Sequence, residues 1–343
     1  MDLAHRTAGY EAVSTALAGA DEHRLAELVS RSASPATGIG GATGRIDMSG
    51  VPVFVKRVPL TDVELRAGRT TSDLFGLPAH YHYGMGSTGF GAWRELAAHE
   101  QTTEWVLSGD SPGFPLLYHW RVLPEAAPEA ADIDAAVRYW GTDVRHRLER
   151  LRDAPASLVL FTEYIPDSLA RWVADPARRR RGYELADAQL ESGIEAMNSR
   201  GLWHFDLHFD NLLTDGERLY ITDFGLVAST GFAMSPDETG FVAGHATYDH
   251  GKAAHSLAAR LLSHYCRRNI GDVLGTGRFP DTLPGWANRI LAGHAPVASI
   301  MDSFFSRLLH DSPTTPYPAD AVAGAYPTVT AIAPRCRTKS GVD

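Results

Sequence analysis

The chain has 343 residues, a formal net charge of −9, 44% apolar residues and 21% charged residues. That length suits two lobes sharing a cleft, and the acidic balance argues against a general nucleic-acid binder, which needs a basic surface to displace counterions. Two cysteines, Cys266 and Cys336, stand far apart outside any C-x-x-C pattern and so exclude a disulfide framework and a thiolate metal site.

The first residues, "MDLAHRTAGYEAV", carry charges and no apolar segment, and the strongest apolar run, "SLVLF" from Ser157 to Phe161, is too short to cross a bilayer. The expectation is a soluble cytoplasmic protein without membrane contact. Residues 9–30 have helical spacing, with Leu25, Leu28 and Val29 on one face. Glycines crowd "GIGGATG", and "VPVFVKRV" then alternates as a strand does. A second glycine-rich stretch, "HYHYGMGSTGFGAW", leads into the helical "AWRELAAHEQTTEWVL". A strand over "FPLLYHWRVL", a charged helix near 132–153 and a strand over "SLVLFTEYIP" follow.

The second half reads as more helical. Helices are expected over "DSLARWVAD" and "ELADAQLESGIEAMNSRG", the latter with Gly201 as C-cap. After "HFDLHFDNLL" comes the strand "RLYITDFGL", then helices near 250–269 and 297–310, and from Asp311 a tail rich in Pro, Ala and Thr with little periodicity. Strands first and helices second predict an α+β chain of two lobes.

The chemistry concentrates in "HFDLHFDNLL". Asp206, Asn211 and Asp223 recur in order, with Asp223 opening a D-F-G. Phosphoryl transfer from Mg·ATP needs such a set: one carboxylate orients the attacking hydroxyl, while an amide and a second carboxylate hold magnesium on the phosphates. The five-residue step from Asp206 to Asn211 matches the kinase catalytic loop H-R-D-x-x-x-x-N. Upstream, Gly38, Gly40, Gly41 and Gly44 form a tight turn whose bare backbone can approach phosphates, and Lys56 sits on the following strand as the lysine of V-A-I-K does.

On these motifs the chain resembles the protein-kinase-like superfamily over residues 33–310. "HFDLHFDN" is similar to the aminoglycoside-phosphotransferase branch, with His208 where Ser/Thr kinases place a lysine, whereas "DFG" leans toward protein kinases. The sequence also resembles kinase-like proteins of class V lanthipeptide pathways, which phosphorylate Ser/Thr of a precursor peptide before elimination.

The resemblance implies a two-lobed fold, with an antiparallel sheet plus helix in the first lobe and a mainly helical second lobe. Its divisions are a helical extension over 1–32, a first lobe with an inserted helix over 33–165, a second lobe over 166–310 and a loosely ordered tail over 311–343. It implies Asp206 as catalytic base, Asn211 and Asp223 as metal ligands, and Lys56 as the nucleotide-anchoring lysine. Glu95 is the expected carboxylate partner of Lys56, with Glu100 and Glu64 as competitors. Backbone groups of Glu163 and Ile165 would meet adenine, and Leu213 and Val53 would sandwich its ring. ATP and Mg²⁺ are the implied cofactors. A peptide or protein, with a lyase as further partner, is the implied acceptor side, and a small-molecule acceptor is the alternative.

Phe205 replaces the arginine of H-R-D and no A-P-E follows the D-F-G, so regulation by loop phosphorylation is not expected. Plainer readings stand beside these. His204 and His208 could be zinc ligands four apart, but no third ligand is offered, and His204 reads as a support under the D-F-G turn. Asp206 and Asp210 as paired hydrolase carboxylates would leave the D-F-G unexplained. Asp249 is expected to buttress the catalytic loop through backbone amides. Arg178 to Arg181 read as a solvated patch or a docking site for an acidic group.

Overall fold

The computed structural model describes residues 2–38, 41–124, 132–266 and 270–326. The N-terminal segment forms two helices, α1 (Leu3–Ala18) and α2 (Glu22–Arg31), rather than one. Each is capped by an aspartate, Asp2 and Asp21, whose side chain accepts an N–H three residues on. Then come β1 (Ala33–Gly38), β2 (Gly41–Met48), β3 (Val51–Leu60), α3 (Asp62–Ala67), α4 (Ala92–Leu107), β4 (Leu117–Pro124), α5 (Ile133–Trp140), α6 (Arg145–Arg152) and β5 (Ala156–Glu163). The strands form one antiparallel sheet in the order β1-β2-β3-β5-β4.

The remainder is mainly helical. Its elements are β6 (Asp167–Ser168), α7 (Leu169–Ala174), α8 (Pro176–Asn198), β7 (Leu202–Trp203), β8 (Leu212–Thr214), β9 (Leu219–Ile221), β10 (Ala228–Ser229), α9 (Pro236–Gly244), α10 (Tyr248–Ser263), α11 (Ile270–Thr276), α12 (Gly285–His310) and α13 (Ala319–Ala325). The chain is therefore α+β with a small antiparallel sheet. Helix α8 ends at Asn198, before Gly201. Helix α12 begins at Gly285 and runs through Pro296, well before the expected start. The expected tail holds a further short helix, α13.

Both faces of the sheet are covered, which explains why β5 is buried at every position. Side chains alternate along a strand, and residues opposite each other on paired strands share a face. Val53 lies opposite Glu163, whose carboxylate meets Arg6 of α1 at 2.7 Å. Val53 and Val55 thus turn toward the N-terminal helices, in one core with Val13, Leu17, Leu25 and Val29. Lys56 turns to the other face, where Leu158 and Leu160 of β5 pack with Trp93 and Leu96 of α4.

The charged helix expected near 132–153 is two helices, α5 and α6. The end of α5 is fastened on two sides: Trp140 meets the Tyr81 ring edge-on at 4.9 Å, and the Tyr139 hydroxyl donates to Leu308 O of α12 at 2.8 Å.

Candidate active site

Lys56 projects from β3 between two carboxylates. Its Nζ lies 2.6 Å from Glu95 Oε1 on α4 and 2.8 Å from Asp223 Oδ1 just past β9. Burial opposes the charge on Lys56, but Asp223 and Glu95 outweigh it and raise its pKa, so the ammonium persists at neutral pH. The competing glutamates are committed elsewhere. Glu64 closes a capping box with Thr61 and accepts the Ala92 N–H at 2.9 Å, while Glu100 pairs with Arg69. Helix phase makes this choice, since Glu95 lies on the buried face of α4.

The catalytic-loop candidates come together around Asp206. Asn211 Nδ2 donates to Asp206 O at 3.0 Å and to Oδ2 at 3.2 Å. His208 Nε2 lies 3.4 Å from Oδ2, and Lys252 Nζ of α10 lies 3.5 Å from Oδ1. Burial alone would raise the Asp206 carboxyl; His208 and Lys252 outweigh it and hold the group well below the usual carboxylate range. Asp206 is thus ionised throughout the physiological range and can accept a hydrogen bond from a hydroxyl.

The loop is braced from beneath. Asp249, in the first turn of α10, accepts the N–H groups of His204 and Phe205, both at 2.8 Å. His204 Nδ1 accepts the Asp206 N–H at 3.2 Å, so its Nε2–H donates to Thr222 O at 2.9 Å. His204 is fully committed between the loop and the strand before Asp223, as a support. Phe205 (φ 63) and Asp223 (φ 66) occupy left-handed backbone that costs a non-glycine residue about 1–3 kcal/mol. The Asp249 bond at Phe205 and the Lys56 ion pair at Asp223 hold these conformations in place.

Asn211 and Asp223 suit a hard cation. With its Nδ2 donating to Asp206, Asn211 keeps Oδ1 for another partner, and the Asp223 side chain is 42% exposed where Glu95 is 3% exposed. Two oxygens fall short of magnesium's six, so oxygens from other groups would have to complete the shell. Among the described residues no three His, Cys, Asp or Glu side chains converge as a metal cluster of their own, and no helix is long and apolar enough to cross a membrane.

Other expected nucleotide contacts are placed differently. Gly38 and Gly41 pair across the β1–β2 turn, whose tip, with Gly40, lies outside the described residues. Gly44 is three residues into β2, where an added Cβ would stand 2.3 Å from Ser32 O, so its bareness serves strand packing. Val53 faces away from Lys56, toward the N-terminal helices; the period of two puts Phe54 on the lysine's side instead. Ile165 is buried just past β5, and Leu213 is half-buried on β8, opposite Tyr220. The Glu163 side chain is occupied by Arg6 and the Leu116 N–H.

Sequence reasoning missed Arg6 and the segment from Thr61 to Gly91. Arg6 is 1% exposed and also donates to Pro112 O and Phe114 O. The segment runs onto the D-F-G turn: at Gly89 (φ +68) an added Cβ would lie 2.0 Å from Gly225 O. Its His82 Nδ1 faces Leu226 O at 2.9 Å and Nε2 faces Glu238 Oε1 at 3.0 Å. Glu238 of α9 also takes both terminal nitrogens of Arg94 on α4. The ring of Phe205, in the place of the expected arginine, stacks on His82 at 4.9 Å. The signal available beforehand was the run of glycines from Gly84 to Gly91, which backbone with φ > 0 requires at Gly84, Gly86, Gly89 and Gly91.

In the patch Arg178–Arg181, Arg178 pairs with Asp167 and Asp175, Arg179 donates to Val173 O and Ala174 O, and Arg180 pairs with Glu184. Three of those four cations are therefore engaged within the chain, which weakens the docking reading. No protein-family model matches the chain, and no curated protein matches it.

Proposed function

We propose that the chain is an ATP- and Mg²⁺-dependent phosphotransferase with a protein-kinase-like two-lobed fold, acting on an alcohol. The acceptor we assign is a Ser/Thr hydroxyl of a peptide or protein, a ribosomal lanthipeptide precursor included. The observation that carries the reading is the double ion pair of Lys56, to Glu95 on α4 and to Asp223 of the D-F-G, beside the Asn211–Asp206 hydrogen bond. These pairings join residues from the sheet-bearing half and the helical half at one place, and a lysine so held is positioned to meet phosphate oxygens.

In this mechanism Asp206 orients the hydroxyl for in-line attack and takes its proton as the new P–O bond forms and the bond from the γ-phosphorus to the ADP oxygen breaks. Lys56 neutralises charge on the non-transferred phosphates. Bound magnesium would be held by Asn211 and Asp223 and would offset charge on the phosphate oxygens. The chain's contribution is position and a fixed field, both set before the reaction begins.

The test is transfer from labelled ATP to Ser/Thr peptides and, in parallel, to aminoglycosides. Asp206→Asn is expected to lower transfer by about 10²–10⁴-fold, and an unchanged rate would remove Asp206 from the base role. Asp223→Ala is expected to abolish the magnesium dependence of nucleotide binding; unaltered Mg·ATP affinity would remove its ligand role. Labelling of aminoglycosides but of no peptide would move the acceptor to the small-molecule class.

A further inference from the structure

The position two residues after Asp206, where Ser/Thr kinases place a lysine, is His208 here, and its Nε2 meets Asp206 Oδ2. The other carboxylate oxygen, Oδ1, is met from a different element by Lys252. We propose that Lys252 is a catalytic residue of this site: its ammonium neutralises the γ-phosphoryl group in transfer, supplying from α10 the cation that the loop itself lacks. The proposal rests on the phosphotransferase reading and adds a residue to it.

Four observations carry it. Lys252 is one helical turn beyond Asp249, and residues three apart share a helix face. The residue bracing the loop and the residue bringing charge to it are therefore borne by one rigid element. The lysine ammonium lies over the Phe305 ring, with Nζ 4.8 Å from the centroid, so the side chain is guided rather than free. It is 15% exposed, and among the described residues its ion pair is with Asp206. Finally, Oδ1 is bordered by bare backbone: Gly84 has φ +83, which favours glycine, and an added Cβ there would lie 3.6 Å from that oxygen.

The ammonium stands 3.5 Å from Asp206 Oδ1, on the side of the carboxylate that His208 does not occupy. The arrangement is productive if the cation has a second anion to serve. The non-bridging oxygens of the γ-phosphoryl group lie next to the catalytic carboxylate in any in-line geometry, and they gather charge as transfer proceeds. A flexible four-carbon stem lets the ammonium shift from Oδ1 to such an oxygen.

The discriminating experiment needs no acceptor. Wild type, Lys252→Met and Lys252→Arg are compared for magnesium-dependent binding of ADP and of a non-hydrolysable ATP analogue, and for ATP turnover with water as acceptor. Lys252→Met is expected to keep ADP affinity, to lose about tenfold of the preference for the ATP analogue over ADP, and to lower turnover by about 10²–10³-fold. Lys252→Arg is expected to recover part of both losses. Unchanged turnover in Lys252→Met, or equal losses of ADP and ATP-analogue affinity, overturns the assignment and leaves the phosphotransferase reading standing. A wild-type chain that binds neither nucleotide with magnesium overturns both.

Discussion

Arg6 offers the sharpest test of how the N-terminal helices serve the rest of the molecule. Its guanidinium is buried against Glu163 at the end of β5, with Nε 2.9 Å from Oε1 and Nη2 2.7 Å from Oε2, and it lies 5.2 Å from the centre of the Tyr220 ring. Arg6→Met preserves the stem but leaves the Glu163 carboxylate buried with the Leu116 N–H at 3.1 Å, and takes the donor from Pro112 O and Phe114 O. Removing one partner of a buried pair costs about 3–5 kcal/mol, mostly as an uncompensated charge. With an unfolding entropy of about 2.1 cal/mol/K per residue over 343 residues, that corresponds to a fall in melting temperature of about 4–7 °C.

The assay is urea unfolding of wild type, Arg6→Met, Glu163→Gln and the double variant. The double variant carries no buried charge at this site, so it is expected to be more stable than the sum of the single losses by about 2 kcal/mol. A loss below about 1 kcal/mol in Arg6→Met, or strict additivity in the double variant, would refute the view that α1 is fastened through this pair. Under the proposed function, weaker nucleotide binding is expected to accompany the loss, because Glu163 ends the strand that leads to Ile165.

The contact between the Thr61–Gly91 segment and the D-F-G turn predicts a contrast between two glycines. Gly89→Ala has both a left-handed φ and a Cβ 2.0 Å from Gly225 O, whereas Gly86→Ala has the left-handed φ (+86) and no neighbour. Gly86→Ala is expected to cost about 1–2 kcal/mol, and Gly89→Ala clearly more, with loss of nucleotide turnover under the proposed function; equal effects of the two variants in unfolding would contradict the close approach. Glu238 yields a pH dependence. Burial would raise its carboxyl, but His82 and Arg94 bring it from 4.5 down to about 2. Because the folded pKa is the lower one, the stabilisation is complete above the unfolded value and is lost as pH falls through the folded value, for a total of about 3 kcal/mol. Glu238→Gln is therefore expected to flatten the stability profile between about pH 5 and 2, relative to wild type; parallel profiles would exclude this role.

The order and spacing of Asp206, Asn211 and Asp223, the strand under Lys56 and the alternation of strands and helices are all legible in the chain by itself. Each depends on neighbours in sequence: a loop of fixed length, a period of two, a period of 3.6. The expected support role of Asp249 was legible too, because its place at the start of a helix after the loop limits what it can reach. The positions of Val53 and Gly44 were not. A strand's alternation says that two faces exist but not which one looks at the lysine, and a glycine near a turn reads alike whether a phosphate or Ser32 O comes close.

What only the tertiary structure decided are the partners distant in sequence. Glu95 rather than Glu100 meets Lys56 because the packing of α4 on the sheet fixes which of its faces turns inward, while Glu64 of α3 is held by Thr61 and Ala92. Arg6 meets Glu163 across 157 positions, and Lys252 meets Asp206 across α10. A charged side chain carries no local signal of its partner, since a buried ion pair is stable only when folding brings both charges together and shields them from water. The sequence singled out Lys56, Asp206, Asn211 and Asp223; the packing of α4 and α10 decided which charges stand beside them.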